Sequence, residues 1–486
     1  MSALSDTDEQ YVAAPVAEST GRTPLVVKLL VASTFVVILN ETTMVNAMPR
    51  LMSDFRIDER TSQWITTVFM LTMASVIPLT GWFLQRVSTR TAYAVAMTTF
   101  CAGTLIGALA PSFEVLLVAR GVQACGTAVM MPLLMTTLMT VVPMADRGRV
   151  MGNVTMAISV APALGPTVSG LLLEVGSWRL IFAVVLPLAA LMGIAGFRKI
   201  PNIGEPQASA VSWLSVLLAS GGFASLVFGL SKFGAGGWVT PVAFATTGAL
   251  LVASFVAYQL RLQRVGTPLL DLRTLRIRTF AVAIVLMSAA FMAFFGAMVL
   301  LPLYLQNYRH LSTLWTGLLV MPGGLAMGLL GPQVGKVYDK HGSRLLVIPG
   351  AAILVLGLGL LSQIQLDTPY WEILVLHVSL MSGLAMVFTP VFTMGLGSLP
   401  QHLYSHGSSL LGTSQQVAGA AGMALLVAIL KGRSTSLANG GASPAHAFVG
   451  GLQWALMAGT VFGLVVLGMA VLLPTRVDAP EGGSGH

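Results

Sequence analysis

The chain predicts an all-α polytopic membrane protein: fourteen transmembrane helices, forming two six-helix bundles plus two extra helices, with both termini cytoplasmic. Three observations predict it: scarce charge, fourteen apolar runs of spanning length, and an internal repeat. Of 486 residues, 55% are hydrophobic and only 9% charged, against about 25% charged in a soluble domain. So few charges cannot cover a soluble surface. A large soluble enzyme and a disordered protein are therefore excluded, and the main solvent is lipid. Fourteen helices of about 22 residues take up about 308 positions, leaving tails and loops but no separate soluble domain.

Residues 1–24 are polar and carry Asp6, Asp8, Glu9 and Glu18, the wrong start for a cleaved signal peptide. They are expected to form a disordered cytoplasmic tail. The first six spans, 25–49, 62–84, 92–110, 113–141, 150–173 and 180–197, lie in an N-terminal bundle of residues 25–200. Only Ala110-Pro111-Ser112 separates the third from the fourth, and the sixth is short. Spans 211–231 and 239–260 are the additional pair. The basic stretch 261–278, broken by Pro268, is a cytoplasmic connector whose charges set topology and anchor it at the membrane surface. Spans 279–305, 312–337, 344–363, 371–397, 407–430 and 449–473 form the C-terminal bundle, 279–473, and 474–486 is a second cytoplasmic tail. Several spans contain Gly and Pro, which lipid-embedded helices tolerate when neighbours re-satisfy the backbone.

A net charge of +8 would suggest nucleic acid in a soluble protein. Here the basic residues sit in short segments between apolar runs, so no nucleic-acid partner is expected and the charge encodes topology. With the N-terminus inside, inner segments hold 17 of the 26 Lys and Arg, outer loops hold eight, and Arg120 lies within a span. The two cysteines, Cys101 and Cys125, read as buried thiols, and no Cys/His cluster has metal-ligand spacing.

The repeat lies in two basic loops. Gly335-Lys-Val-Tyr-Asp339-Lys340-His-Gly342-Ser-Arg344 follows the tenth span and matches Gly81-Trp-Phe-Leu-Gln85-Arg86-Val-Ser88-Thr-Arg90 after the second. Gly falls on Gly, Lys340 on Arg86 and Arg344 on Arg90, while Asp339 meets Gln85 and Gly342 meets Ser88. Two basic loops could arise from topology alone, but the shared spacing favours duplication. Parallel halves with a site between them near the midplane are a transporter architecture.

These loops resemble the major facilitator superfamily, and within it the fourteen-helix drug:proton antiporter family of multidrug efflux transporters. The family's G-x-L-x-D-R-x-G-R-[KR] loop is well matched at Gly335–Arg344 and partly at Gly81–Arg90. Its R-G-x-Q-G pattern is similar to Arg120-Gly121-Val122-Gln123-Ala124. The antiporter motif G-P-x-x-G-G resembles Gly165-Pro166-Thr167-Val168-Ser169-Gly170, and Trp178-Arg179-Leu-Ile181-Phe182 resembles the W-R-W-I-F that follows it. Leu39-Asn40-Glu41-Thr42 with Ala47-Met48-Pro49 resembles L-D-x-T…A-L-P, with Asn40 in the usual Asp position and the acid moved to Glu41. The resemblance implies a major facilitator fold and a proton-driven exporter of the cell inner (cytoplasmic) membrane. It would need no cofactor beyond the proton gradient. Its expected partners are lipophilic or cationic small molecules, protons and membrane lipids, and a monomer is expected.

Almost every acid lies in a tail, a loop or at a span edge; Glu41 is the exception. Glu41 and Arg120 sit about 12 Å and about 10 Å below the outer ends of their helices by helical rise. An intramembrane ionisable residue is a functional hypothesis by default, so the two are candidates for a proton-coupling pair; the bland reading is a static strut. The candidate pocket is Asn40, Glu41, Gln123, Asn153, Gln415 and Gln416, with Met and Phe around them. The two glutamines serve equally well as interhelical hydrogen-bonding groups. Gly165, Pro166 and Gly170 suggest either tight packing or a bend tied to antiport. Gly81, Arg86, Arg90, Gly335, Asp339, Lys340, Gly342 and Arg344 are candidate gating-loop residues. Asp339 is placed to cap a neighbouring helix N-terminus or to pair with Arg344, and Gln85 carries no charge for a symmetric latch. The lone His377 reads as core packing ahead of a proton relay.

The reading that results is a proton-coupled antiporter exporting amphipathic or cationic small molecules by alternating access. A dedicated exporter of an endogenous metabolite, lipid or self-made antibiotic is the alternative within transport. An enzyme is not expected, because no nucleophile with a base and no phosphate loop occurs. A receptor or scaffold would not need the duplicated loop or an embedded acid–base pair.

Overall fold

The computed structural model describes residues 23–203, 212–233, 237–265 and 268–476, apart from the side chains at 45, 46, 59, 60, 166 and 313. Fourteen helices in it are long and apolar enough to cross a membrane. They are α1 (Leu25–Phe55), α2 (Trp64–Arg86), α3 (Thr89–Ala108), α4 (Phe113–Val141), α5 (Arg147–Val175), α6 (Arg179–Lys199) and α7 (Trp213–Ser231). There follow α8 (Val239–Val265), α9 (Arg278–Asn307), α10 (Thr313–His341), α11 (Arg344–Leu361), α12 (Tyr370–Gly397), α13 (Tyr404–Asn439) and α14 (Pro444–Leu472). A short helix Glu59–Ser62 and 3-10 turns at Met144–Asp146, Leu272–Arg276 and Gln401–Leu403 punctuate the loops. Most of residues 1–24 and of 474–486, the two expected tails, lie outside the described residues.

Fourteen spans were expected and fourteen appear, but hydropathy misplaces some ends. Helix α1 runs through Pro49 to Phe55. Near a helix end the carbonyl that proline frees is within reach of water, so the helix need not stop there. Helix α13 continues past Lys431 and Arg433 to Asn439. Those charges end the apolar run, yet nothing in them stops helical backbone. Gly440 and Gly441, the latter at φ +89°, do. The short sixth span also lengthens, to 21 residues.

Helices α1–α6 pack together as one group and α9–α14 as another. Lipid offers no hydrophobic drive between helices, so close approach at small residues does the packing. A Cβ on Gly126 of α4 would collide with the Ala96 carbonyl of α3, and Gly103 of α3 lies as tightly against Gln123 of α4. Helix α4 is buried on nearly every side. The groups meet along two seams: α5 against α10 and α12, and α2 and α4 against α13. The hairpin α7–α8 lies over the second seam, with α7 touching both α2 and α13.

Both seams run from the face carrying the two repeated basic loops, called here the basic face, to about mid-depth. Along the first, Gly335 meets the Gly148 backbone, Gly152 meets Gly331, and Thr389 Oγ1 donates to Thr155 Oγ1 at 2.9 Å. Along the second, Ser409 Oγ donates to the Ile77 carbonyl at 2.6 Å and Thr136 Oγ1 to Ser408 Oγ at 3.2 Å.

Candidate functional site

Arg120 is 1% exposed and among the largest fully buried side chains. Its Nη1 donates to Asn40 Oδ1 at 3.2 Å and to Gln123 Oε1 at 2.9 Å. Its guanidinium lies 4.2 Å from the centre of the Phe69 ring on α2, a cation–π contact. Positions 120 and 123 share a face of α4 because they are three apart. Gln123 Nε2 in turn donates to Thr104 Oγ1 at 2.9 Å, and Thr104 to the Phe100 carbonyl at 2.7 Å. Asn40 Nδ2 and Arg120 Nε are buried without partners.

The direct Glu41–Arg120 pair is not formed: no salt bridge joins them. The reason is helical register. Successive residues turn by about 100°. Asn40 faces Arg120 on α4, and Thr42 packs against Gly165 on α5. Glu41 therefore points into the angle between α4 and α5. Those two helices barely touch each other, and each contacts the second half instead, α4 through α13 and α5 through α10 and α12. The Glu41 side chain is half-buried and makes no hydrogen bond among the described residues, and its register turns it to the side on which α4 and α5 meet the second half.

Of the two glycines in the antiporter motif, Gly165 acts as a close-packing point. A Cβ there would collide with Thr42 Oγ1, one residue past Glu41, whereas a Cβ on Gly170 meets nothing within 4 Å. Gly170 is thus not a packing point. Helix α5 stays continuous through Pro162 and the backbone of Pro166; the Pro166 side chain lies outside the described residues.

Asn153 is also displaced from the expected pocket. It lies about 9 Å along α5 from Arg147, and its Nδ2 donates to Thr23 Oγ1, just before α1, at 3.4 Å. The fifth helix begins at the basic face, so Asn153 belongs to that end and not to the level of Glu41. Gln415 and Gln416 are half-buried on α13. They lie about 10 Å and about 12 Å beyond Ser408 toward the opposite face, while Arg120 lies about 24 Å beyond Thr136 in the same direction. The glutamines therefore flank the site from the second half at a shallower level.

A feature absent from the candidate residues stands beside them. Phe291, Phe294 and Phe295 of α9 cluster with Phe388 and Phe392 of α12; Phe291 and Phe388 stack at 4.8 Å. Phe295 also lies against Gly419, one turn from Gln415. The i, i+3, i+4 spacing on α9 was the available signal, and alone it reads as ordinary core. His377 packs against Gly323 inside the second half, with Nδ1 unpartnered.

At the basic face the repeat becomes a structural pseudo-symmetry. Asp339 accepts from the backbone N–H groups of Gly148 at 2.7 Å and Arg149 at 2.8 Å, capping the N-terminus of α5 across the first seam. Gln85 takes the matching place on the second seam. Its Nε2 donates to the His402 carbonyl at 3.0 Å, and its Oε1 meets His406 Nε2 at 3.1 Å. Gly335 and Gly81 let the helices close: a Cβ would strike Gly148 in one case and crowd His406 in the other. Gly342 ends α10 at φ +82°, where only glycine sits easily.

Arg90 and Arg344 do not join the halves. Arg90 Nε donates to the Ile200 carbonyl at 2.9 Å and Arg344 Nε to the Leu473 carbonyl at 3.1 Å. Each holds the C-terminal end of a helix in its own half, α6 and α14 respectively, where a cation suits the dipole. Asp339 therefore does not pair with Arg344. Arg86 lies 5.4 Å from the centre of the Trp82 ring, and Lys340 is exposed, with its carbonyl accepting from Arg476.

With this geometry in view, the family match and the relatives agree on one family, and solved structures share the fold. Residues 30–423 match the Major Facilitator Superfamily. The uncharacterized MFS-type transporter YcnB of Bacillus subtilis is 36% identical over 91% of this chain and 93% of its own. The lincomycin resistance protein LmrB of Listeria monocytogenes is 35% identical over 92% and 95%. The multidrug resistance protein B homolog of Mycobacterium tuberculosis is 30% identical over 79% and 72%. In fold, the chain is similar to the human organic anion transporter MFSD10, with a TM-score of 0.65 at 14% identity over 92% of this chain and all of that one. It is similar also to the proton:xylose symporter XylE, with a TM-score of 0.63 at 16% identity over 93% and 96%. The chain belongs to the Major Facilitator Superfamily and is a multi-pass membrane transporter rather than an enzyme.

Proposed function

We propose that this transporter is a proton-coupled antiporter that exports amphipathic or cationic small molecules by alternating access. The observation that carries the reading is Glu41: a half-buried acid without a hydrogen bond among the described residues, set in the membrane and turned between α4 and α5 toward the second half. A carboxylate in that position serves as a proton carrier, because it meets whatever occupies the space between the halves. A cationic cargo and a proton then compete for one negative charge. The relatives named for lincomycin and multidrug resistance support a drug-like cargo, and the five-phenylalanine cluster with Gln415 and Gln416 supplies an apolar, aromatic wall for it.

The distribution of Lys and Arg supports a cytoplasmic basic face and cytoplasmic termini. Closed seams on that face support a form whose site opens to the opposite side. The halves are residues 25–200 and 279–473, with 261–278 as the cytoplasmic connector, and the transporter works as a monomer with no cofactor beyond the proton gradient.

The test is transport by the purified full-length protein in proteoliposomes under an imposed pH gradient, using a panel of lipophilic cations. Gradient-driven cation movement with opposite proton movement is expected, and Glu41→Gln should lower both at least tenfold. Wild-type coupling in Glu41→Gln would remove Glu41 from the mechanism. Movement of a lipid or metabolite in place of the cations would favour a dedicated exporter.

A further inference from the structure

We infer that Asn40 and Gln123 are positioning residues that hold Arg120 away from Glu41, leaving that carboxylate without a cation of its own and so setting a preference for cationic cargo. The inference rests on the reading of Glu41 given above and deepens it.

Arg120 is a buried cation whose side-chain acceptors are two neutral amides and whose other neighbour is a ring face. The nearest carboxylate, one residue from Asn40, is not among its contacts. Both amides are held with their oxygens toward the guanidinium, because a guanidinium has only donors to offer. Gln123 is locked in that orientation by its own donation to Thr104, and Thr104 by its donation to Phe100. Asn40 is fully buried and leaves Nδ2 unpartnered. An amide kept in the interior for its oxygen alone calls for a reason, and fixing the direction of Arg120 is one.

The electrostatic consequence follows from distance. In contact, Arg120 and Glu41 would form a neutral pair with little pull on a cation entering between the halves. Held apart, each keeps its own field, and that field is strong in a low-dielectric interior. Arg120 contacts α1, α2 and its own helix, while Glu41 faces the angle that opens toward the second half. An entering cation thus meets the carboxylate ahead of the guanidinium.

The experiment measures uptake into inverted proteoliposomes of tetraphenylphosphonium and of the uncharged dye Nile red, and reads the ratio of their apparent affinities. Asn40→Leu removes the clamp and lets Arg120 fall onto Glu41. The cation's KM should rise about tenfold, with a much smaller change for the neutral dye. Adding Arg120→Gln to Asn40→Leu deletes the cation that quenches the carboxylate, so cation preference should return to within about threefold of wild type. Gln123→Met should shift the ratio in the same direction by a smaller factor, and it carries the test should Asn40→Leu not fold. Equal losses for both compounds, or a double variant no better than Asn40→Leu, would overturn the inference. Cation preference that survives in Glu41→Gln would instead overturn the underlying reading of Glu41, so the two failures are distinguishable.

Discussion

At the level of single residues, glycines separate motif from mechanics. Gly165 and Gly170 belong to one sequence motif, but a Cβ on the first collides with Thr42 Oγ1, itself bonded to the Leu39 carbonyl at 3.1 Å, and a Cβ on the second meets nothing. Gly165→Ala should therefore cost about 1–3 kcal/mol as overpacking and push α5 off α1 beside Glu41. Gly170→Ala should be neutral or stabilising by up to about 1 kcal/mol, the helix propensity gained by replacing glycine. Thermal unfolding in detergent, paired with transport, checks both; a Gly170→Ala transporter as impaired as Gly165→Ala would mean that the motif acts through something other than close approach. Sequence was a good guide to which residues are unusual in lipid, since Glu41 and Arg120 stand out against so few charges. It was a poor guide to which of them touch. A one-residue step turns a side chain by about 100°, so motif matching could not decide between Asn40 and Glu41 as the partner of Arg120.

Among the elements, the α7–α8 hairpin has two kinds of neighbour. Toward α2 it is tied by polar and aromatic contacts: Ser220 Oγ donates to the Ser75 carbonyl at 3.1 Å, Ser75 Oγ to the Ser220 carbonyl at 3.4 Å, and Trp64 stacks on Phe228 at 5.8 Å with Lys232 beside both rings. Toward α13 it shares an apolar cluster that includes Phe223, Ala219 and Ala420. Directional bonds resist sliding and apolar surfaces permit it, so under the alternating access proposed above the hairpin should travel with α2. In a background lacking Cys101 and Cys125, a short cross-linker between Ser75→Cys and Ser220→Cys should leave at least half of the transport. One between Phe223→Cys and Ala420→Cys should abolish it. The reverse result would attach the hairpin to the second half. All fourteen helices were legible from hydropathy, because spanning length is a property of composition. Their ends were less so, since backbone continues through charges and terminal prolines until a glycine stops it, as α13 does at Gly440. The Phe291–Phe388 cluster was illegible for a related reason: an apolar stripe at helical spacing says that a face is covered, without saying by what.

For the whole molecule, the two repeated loops close one face through contacts of different kinds. Asp339 accepts two backbone N–H bonds at the N-terminus of α5, where the helix dipole adds to the attraction. Gln85 closes the other seam through neutral bonds to His402 and His406. Hydrogen bonds to a charged group contribute about 1.5–3 kcal/mol and neutral ones about 1 kcal/mol. Asp339→Asn, which keeps one neutral acceptor, should accordingly shift the balance between closed and open basic faces by roughly a hundredfold, and Gln85→Ala, which loses two neutral bonds, by roughly thirtyfold. Thr155 offers a gauge of that balance. It is 5% exposed, hydrogen-bonded across the first seam to Thr389, and sealed while the face is shut. The alkylation rate of Thr155→Cys by a water-soluble maleimide, in a background without the native cysteines, should rise in the order wild type, Gln85→Ala, Asp339→Asn. The seams are separate, so the double variant should show the product of the single effects. Equal rates in the two single variants would mean that the charge on Asp339 adds nothing to the closed face. A double variant no faster than Asp339→Asn would mean that one seam alone determines whether the face opens.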